Sequence, residues 1–316
     1  MNSYGLWIAT EINEHYDCDD SRSSFIKVAM ARQIASKEIK ILWDLNPCSP
    51  NHRIYREYID KYRNNGLIGG YNYGHFTIND NLSIDYQRKL EIISQYDENT
   101  IWYRRDIKGE RCVAEGNIYE DFANNTSKYL LTEEELKTKT ITHLYVGVDF
   151  GGNGSSHTFV CVGFTSYLKE IILLESEKHQ GKINPARLEE LFALFLEKVY
   201  TKYGKGGNVY CDNAETTLIG GLKSRVARDK LPFSVLDARK YEVKQRIRLI
   251  SRLMALNKFK VCKWCESVIK ALSEAVWNSK EGHEDERLDN GTSDIDTLDA
   301  MEYAIEPHLN DLKFLI

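Results

Sequence analysis

No run in this sequence approaches the roughly 18 uncharged apolar residues that a membrane-spanning helix needs, so no transmembrane segment is expected. The N-terminus, MNSYGLWIATEINEHY, lacks the basic region, apolar block and small-residue cleavage site of a secretory signal. Proline is scarce, at 5 residues, and the 20 glycines are scattered, which excludes collagen-like and low-complexity architectures and long proline linkers. Cysteine is thin and odd in number, 7 in 316 residues, a pattern that fits reduced thiols in a cytosol rather than a disulfide framework. Positive charge is not in excess: 42 Lys and Arg stand against 47 Asp and Glu, a net charge of −5. A uniformly basic nucleic-acid binder is thereby excluded, while a local basic groove is not. No repeat of fixed period occurs. What is present is 42% apolar and 28% charged residues, enough to bury a core in one large or two ordinary domains.

The chain divides into residues 1–122, a linker at 123–140 and a second domain at 141–316. The linker opens with the polar run Asn124-Asn125-Thr126-Ser127 and carries Thr132-Glu133-Glu134-Glu135, a capping-box pattern that starts one short helix. In the second domain, His143 to Asp149, Thr158 to Phe164 and Leu168 to Leu174 are apolar runs separated by few residues. Strands this close are joined by tight turns and are expected to be antiparallel neighbours. Ala186 to Tyr203 has apolar residues at helical spacing. Asn208 to Cys211, Phe233 to Leu236 and Phe259 to Cys262 are further strands between helices, and a final helix from about Ile295 to Ile305 is stopped by Pro307. The expected class is α/β, a mixed sheet flanked by helices. In the first part, Tyr4 to Ala9 and Lys40 to Leu45 are apolar strands with a helix, Ser24 to Ala35, between them, which fits a fragment of parallel sheet.

Acids stand at the places where such a sheet gathers chemistry. Asp149 ends the first strand of the second domain, Asp212 follows the fourth, and Asp294, Asp296 and Asp299 open the last helix. A lone aspartate after a strand is ordinarily a turn or cap residue, and Asp294 is placed as an N-cap. The order of the acids is what points to chemistry. Carboxylates a few ångströms apart repel unless a cation joins them. Mg²⁺ and Mn²⁺ are hard cations that take oxygen ligands, and a pair of them can activate water and stabilise the leaving oxygen of a phosphodiester. An acid ending the first of three antiparallel strands, an acid after the fourth and an acid in a late helix is the pattern of a ribonuclease-H-like metal nuclease.

On these residues the sequence resembles the large terminase subunit of tailed bacteriophages, in the branch found in PBSX-type prophages. Tyr145 to Val160 (YVGVDFGGNGSSHTFV), Val209 to Glu215 (VYCDNAE) and Asp296 to Ala304 (DTLDAMEYA) are similar to that family's three nuclease motifs. The resemblance implies a DNA endonuclease of packaging, with Asp149, Asp212 and Asp299 as catalytic, metal-binding aspartates. Asp296 stands where the family has a histidine and is either a further metal ligand or a helix-end acid. Leu42 to Tyr58 (LWDLNPCSPNHRIYREY), with Asn46, is similar to the family's coupling segment after the ATPase core, and Ile101 to Phe122 to the segment that leads into the nuclease. Leu6 to Glu11 falls at the Walker B strand, with Glu11 at the catalytic glutamate and Thr10 where an aspartate holds magnesium. Residues 1–122 are then the C-terminal remnant of the packaging ATPase domain. No phosphate-binding Gly-x4-Gly-Lys-Ser/Thr loop is present, so the chain is expected to begin after the nucleotide-binding half and not to use ATP alone. The partners implied are double-stranded DNA, the terminase small subunit and the portal protein, with no membrane. The implied place is the host bacterial cytoplasm, not the virion.

Lys223 to Arg252 is rich in basic residues, among them Arg246. Lys240, Lys244 and Arg248 are spaced to share one helical face, which is either a solvated surface or a phosphate-contacting wall. Cys262 and Cys265 form a CxxC with no second pair, which reads as a strand-to-helix junction rather than a zinc site. Gly220-Gly221-Leu222-Lys223-Ser224 reads as a turn of helix, Lys280 to Asn290 as a solvated loop or a flap, and His157 and His283 as single loop histidines that either serve in proton transfer or stand outside the chemistry. Two other functions remain open: a non-cutting assembly module of the packaging motor, and another ribonuclease-H-like nuclease such as a resolvase.

Overall fold

The computed structural model describes residues 5–12, 25–48, 50, 54–66, 70–112, 116–151, 156–280, 286–289 and 293–315. They form two compact units. One contains residues up to 93 together with 98–112 and 279–280; the other contains 94–97, 116–278 and 286–315.

In the first unit β1 (Leu6–Ala9) pairs parallel with β2 (Lys40–Trp43), and α1 (Phe25–Arg32) lies between them in sequence, a right-sized crossover for a parallel pair. Buried Gln33, just past α1, donates to the carbonyls of Gly5 and Lys40 and ties the two strand starts together. Two short helices, α2 (Asp60–Asn65) and α3 (Tyr86–Ile93), follow. The core of this unit is Ile12, Ile26, Cys48, Ile54, Tyr55, Tyr58 and Ile59.

The second unit is built on one seven-stranded mixed sheet. Its elements are α4 (Glu120–Asn124), β3 (Leu130–Leu131), α5 (Glu133–Lys137), β4 (Ile141–Asp149), β5 (His157–Thr165), β6 (Ile171–His179), α6 (Pro185–Tyr203), β7 (Gly207–Cys211), α7 (Thr216–Arg228), β8 (Phe233–Asp237), α8 (Val243–Ala255), β9 (Phe259–Cys262), α9 (Glu266–Glu274), α10 (Ile295–Ile305) and α11 (Leu309–Leu315). The strand order is β3-β9-β6-β5-β4-β7-β8. β5 is antiparallel to both β4 and β6, and every other pairing is parallel. The central five, β6-β5-β4-β7-β8, have the ribonuclease-H-like arrangement. β5 is buried along its whole length, as a strand covered on both faces must be. α6 covers one face, with Phe192 and Phe195 against Phe159, and α10 packs across β4 and β5.

Gly147 sets how closely α10 approaches. A Cβ there would stand 1.7 Å from the carbonyl oxygen of Ala300, so only glycine lets the helix lie on the strand at this point. The residues flanking that contact are Asp149 on β4 and Asp299 on α10.

The boundaries differ from the sequence reading in three places. The third strand runs Ile171–His179, not Leu168 to Leu174. Thr165 and Glu170 close a turn through their backbone and the Thr165 hydroxyl, with Tyr167 and Leu168 at φ 58° and 53°, so pairing cannot start earlier. The strand continues through polar residues because Glu175 is met by lysines of α6. α10 ends at Ile305 as expected, but it is not the final helix, and Pro307 does not end the helical region. It sits at the start of a short 3₁₀ turn, where its missing N–H is not needed, and α11 follows. Residues 123–140, read as a linker, supply β3 to the sheet and the fully buried Tyr129 to the core.

Candidate active site

Asp149 is the last residue of β4 and is nearly buried. Asp212 follows β7, and its backbone N–H donates to the Val148 carbonyl at 3.1 Å, which fixes it beside the end of β4. Asp299 lies one turn into α10, next to the Gly147–Ala300 contact. Asp296 is in the first turn of the same helix. Three elements distant in sequence thus deliver their acids to one end of the sheet.

Asp149 feels all of them. Its carboxyl is pushed up to about 8, first by burial and then by the charges of Asp299, Asp296 and Asp212, with Lys240 pulling the other way. Asp212 accepts on Oδ1 from the Ala214 N–H at 2.8 Å and from Lys240 Nζ at 2.5 Å. Asp299 accepts on Oδ1 from Arg287 at 2.5 Å and from Arg246 at 3.3 Å. Asp296 accepts on Oδ2 from the Ser156 N–H at 2.7 Å; burial raises its carboxyl, against that hydrogen bond and Lys178. In each of these three acids, the contacts just named fall on a single oxygen.

Behind Asp299 is an ion network that the sequence reading missed. Arg246 reaches Glu302 at 3.1 Å and Glu306 at 2.7 Å, and Arg287 reaches Glu302 at 3.0 Å, all with side chains less than a tenth exposed. Burial pushes the Glu302 carboxyl up to about 7 while the arginines oppose it. The spacing of Asp299, Glu302 and Glu306 does mark one face of a helix, a signal present in the sequence. Arg287, in a polar loop, has no such signal.

The basic stretch is corrected by the structure. Arg246 is buried in the ion network and is not part of a surface wall. Lys240 does not share a helical face with Lys244 and Arg248: α8 starts at Val243, and Lys240 has φ 51°. The backbone N–H groups of Lys240 and Tyr241 donate to the Glu306 carboxylate, at 3.0 Å each, and hold this loop off the helix. Lys244 and Arg248 stand one turn apart on α8.

The remaining candidates have structural employment. Asp294 caps α10 through Thr297 and pairs with Lys178. His157 opens β5, and its Nδ1 accepts from the Gly151 N–H, which requires that nitrogen to be bare. Burial lowers its basicity. Cys262 ends β9 and Cys265 precedes α9; both thiols are buried and pushed up by burial. Gly220 and Gly221 lie within α7. In the first unit, Asn46 donates to Glu11 Oε1 at 3.3 Å, and the Glu11 N–H donates to Asp44. Gly152, Gly154 and His283 lie outside the described residues.

The donor chemistry fits a hard divalent cation. It is all carboxylate oxygen, and Asp149, raised first by burial and then by the other acids, has no cation in direct contact among the described residues. Among the described residues no three His, Cys, Asp or Glu side chains stand as a ready coordination set. Asp212 and Asp299 are instead turned onto Lys240 and Arg287.

No protein-family model and no curated protein matches the sequence. Among solved structures, the fold is similar to the large terminase of a thermophilic bacteriophage. The TM-score is 0.77 at 21% identity, over 96% of this chain and 69% of that one. The same phage protein in complex with ADP aligns at a TM-score of 0.76 and 21% identity, over 99% of this chain and 70% of that one. The likeness establishes that this chain has the fold of a phage large terminase across nearly its whole length.

Proposed function

We propose that this chain is a divalent-metal-dependent endonuclease that cuts concatemeric double-stranded DNA during phage DNA packaging, as part of a terminase large subunit of the PBSX-type prophage branch. One observation supports the reading: Asp149, Asp212 and Asp299 come from the ends of β4 and β7 and the start of α10 to one end of the sheet, where burial first and then the neighbouring acids push the Asp149 carboxyl up. A carboxylate group arranged at that expense to the fold is a functional-site signature. Asp149, Asp212 and Asp299 would hold Mg²⁺ or Mn²⁺, with Asp296 as a further ligand. A bound pair of such ions would supply an activated water and stabilise the leaving oxygen of the phosphodiester. The protein's part is to hold the acids. Gly147 lets α10 seat Asp299 beside Asp149, Ala214 and the Val148 carbonyl fix Asp212, and Arg246 and Arg287 brace Asp299 from behind. Lys244 and Arg248 on α8 would meet DNA phosphates, a contact that carries no base information.

In this role the partners are double-stranded DNA, the terminase small subunit and the portal protein, and the place of action is the host cytoplasm. With no phosphate-binding loop in the sequence, ATP turnover by this chain alone is not expected; Glu11 and Asn46, joined by a hydrogen bond, would belong to an ATPase-type segment. A non-cutting assembly module is the second reading, favoured by the engagement of Asp212 and Asp299 with basic side chains. Nicking of supercoiled plasmid with Mn²⁺ separates the two. Nicking that disappears in Asp149→Asn, Asp212→Asn and Asp299→Asn, each with a normal melting curve, supports the nuclease. Absence of nicking by the wild-type chain, or its persistence in folded Asp149→Asn, leaves the assembly module.

A further inference from the structure

The basic side chains on the acids are not equivalent. Arg246 and Arg287 face two carboxylates of their own, Glu302 and Glu306, so the guanidiniums are balanced without Asp299. Among the described residues, Lys240 has no such second partner. Its ammonium meets Asp212 at 2.5 Å and its charge also reaches Asp149. The Glu306 carboxylate beneath it is taken by Arg246 and by the backbone N–H groups of Lys240 and Tyr241.

The loop that carries Lys240 is fastened through its backbone. The Ala238 N–H donates to the carbonyl of Cys211, the residue before Asp212, at 2.8 Å. Glu306 then holds the N–H groups of Lys240 and Tyr241, and at Lys240, with φ of 51°, the side chain meets Asp212 after the end of β7. The side chain itself is about a third exposed, and Asp212 about a fifth, so the ion pair can open toward solvent without unfolding the loop.

We propose that Lys240 is a built-in counter-ion of the acid cluster, which competes with the divalent cation for Asp212 and, once displaced, is released to a DNA phosphate. This rests on the metal reading of the cluster. Both charges are positive and share one carboxylate, so occupancy by one weakens the hold of the other. Metal binding and phosphate binding are then coupled through a single side chain: the site gains a DNA contact only when its metal is in place.

Titration of this 316-residue chain with Mn²⁺ by calorimetry, with no DNA present, tests the first half. Lys240→Met is expected to bind Mn²⁺ about tenfold more tightly or better, and Lys240→Arg about as wild type, since it keeps the charge. Asp149→Asn is expected to bind far more weakly. Unchanged or weaker binding by a folded Lys240→Met overturns the inference while leaving the metal reading intact. No Mn²⁺ binding by wild type, or full binding by Asp149→Asn, overturns the metal reading and this inference with it. The second half is read from duplex DNA affinity against salt, with and without Ca²⁺. Wild type is expected to gain a slope of about one phosphate contact on adding Ca²⁺, and Lys240→Met none. An equal gain in both proteins overturns the coupling.

Discussion

Two acids buried in the same sheet meet opposite fates. Glu175 on β6 is 1% exposed, and Asp149, two strands away on β4, is 7% exposed. Glu175 has Lys202 at 2.6 Å, Lys198 at 2.9 Å, the Tyr203 hydroxyl at 2.8 Å and the Trp264 indole N–H at 3.0 Å. Burial works against its charge, but these partners outweigh burial and hold its carboxyl below the usual value. Asp149 is buried among carboxylates and is pushed up to about 8. Depth does not distinguish the two; the company does. A buried acid with its charge answered from within the protein is architecture, and one left in deficit is a place for something from outside.

The largest effect should fall on activity. Asp149→Asn keeps the size of the side chain and removes a charge from a crowded group, so plasmid nicking should drop to background while the metal-free melting temperature stays level or rises. A large loss of stability would mean that Asp149 is as well satisfied as Glu175, and the contrast between them would fail.

Next is Gly147→Ala. Its Cβ would stand 1.7 Å from the Ala300 carbonyl, so α10 must move away from β4. Backbone on both sides allows little relief, and the expected cost is about 1–3 kcal/mol or more. Thermal melting reads the stability and nicking reads the displaced Asp299; wild-type values in both would show that α10 does not set the geometry of the acids.

Glu175→Gln should cost about 1–3 kcal/mol, because it removes a hydrogen-bonded charge, although Lys198 and Lys202 are exposed enough to turn to water. The sign of the pH dependence follows from the lowered carboxyl. The contribution is present above the ordinary value of 4.5 and is lost as pH falls below it through the folded value. The gap between wild type and Glu175→Gln should therefore narrow in denaturant melts taken at decreasing pH below 4.5. A gap that widens would reverse the assignment.

The smallest effect is expected at the edge of the same unit. His143 and His308 share one hydrogen bond, Nε2 to Nε2 at 2.9 Å, with Asp311 on the far nitrogen of His308 and Tyr145 packed on both rings. One ring nitrogen must be bare. Burial first, then His308, lowers the basicity of His143 below the ordinary 6.5. The unfolded chain then takes up its proton first, so stability should decline as pH falls below 6.5 and level off below the folded value. His143→Phe should flatten that part of the melting profile; an unchanged slope would place the titration elsewhere.

Much of this molecule was legible in its sequence. Buried strands such as β5 and β7 and the amphipathic helix α6 are visible as apolar runs and helical spacing, because burial on both faces or on one stripe demands those patterns. The positions of Asp149 and Asp212 at strand ends follow from the same runs. The polar half of β6 was not legible, since nothing in Glu175 to His179 announces that lysines of α6 will answer it. The partners of charged residues were not legible either. Arg246 and Lys240 look alike as members of a basic stretch, yet one is locked between glutamates and the other rests on Asp212.

The sequence by itself determined the order of strands and helices, the α/β class and which acids end which elements, because those depend on patterns a few residues long. Only the tertiary structure decided which acids share a field, that Gly147 rather than a bulkier residue seats α10, and which cations answer which carboxylates. Those outcomes depend on distances between residues up to a hundred and fifty or so positions apart, as from Asp149 to Asp299, and Coulomb energies are set by distance and burial, neither of which the local pattern contains.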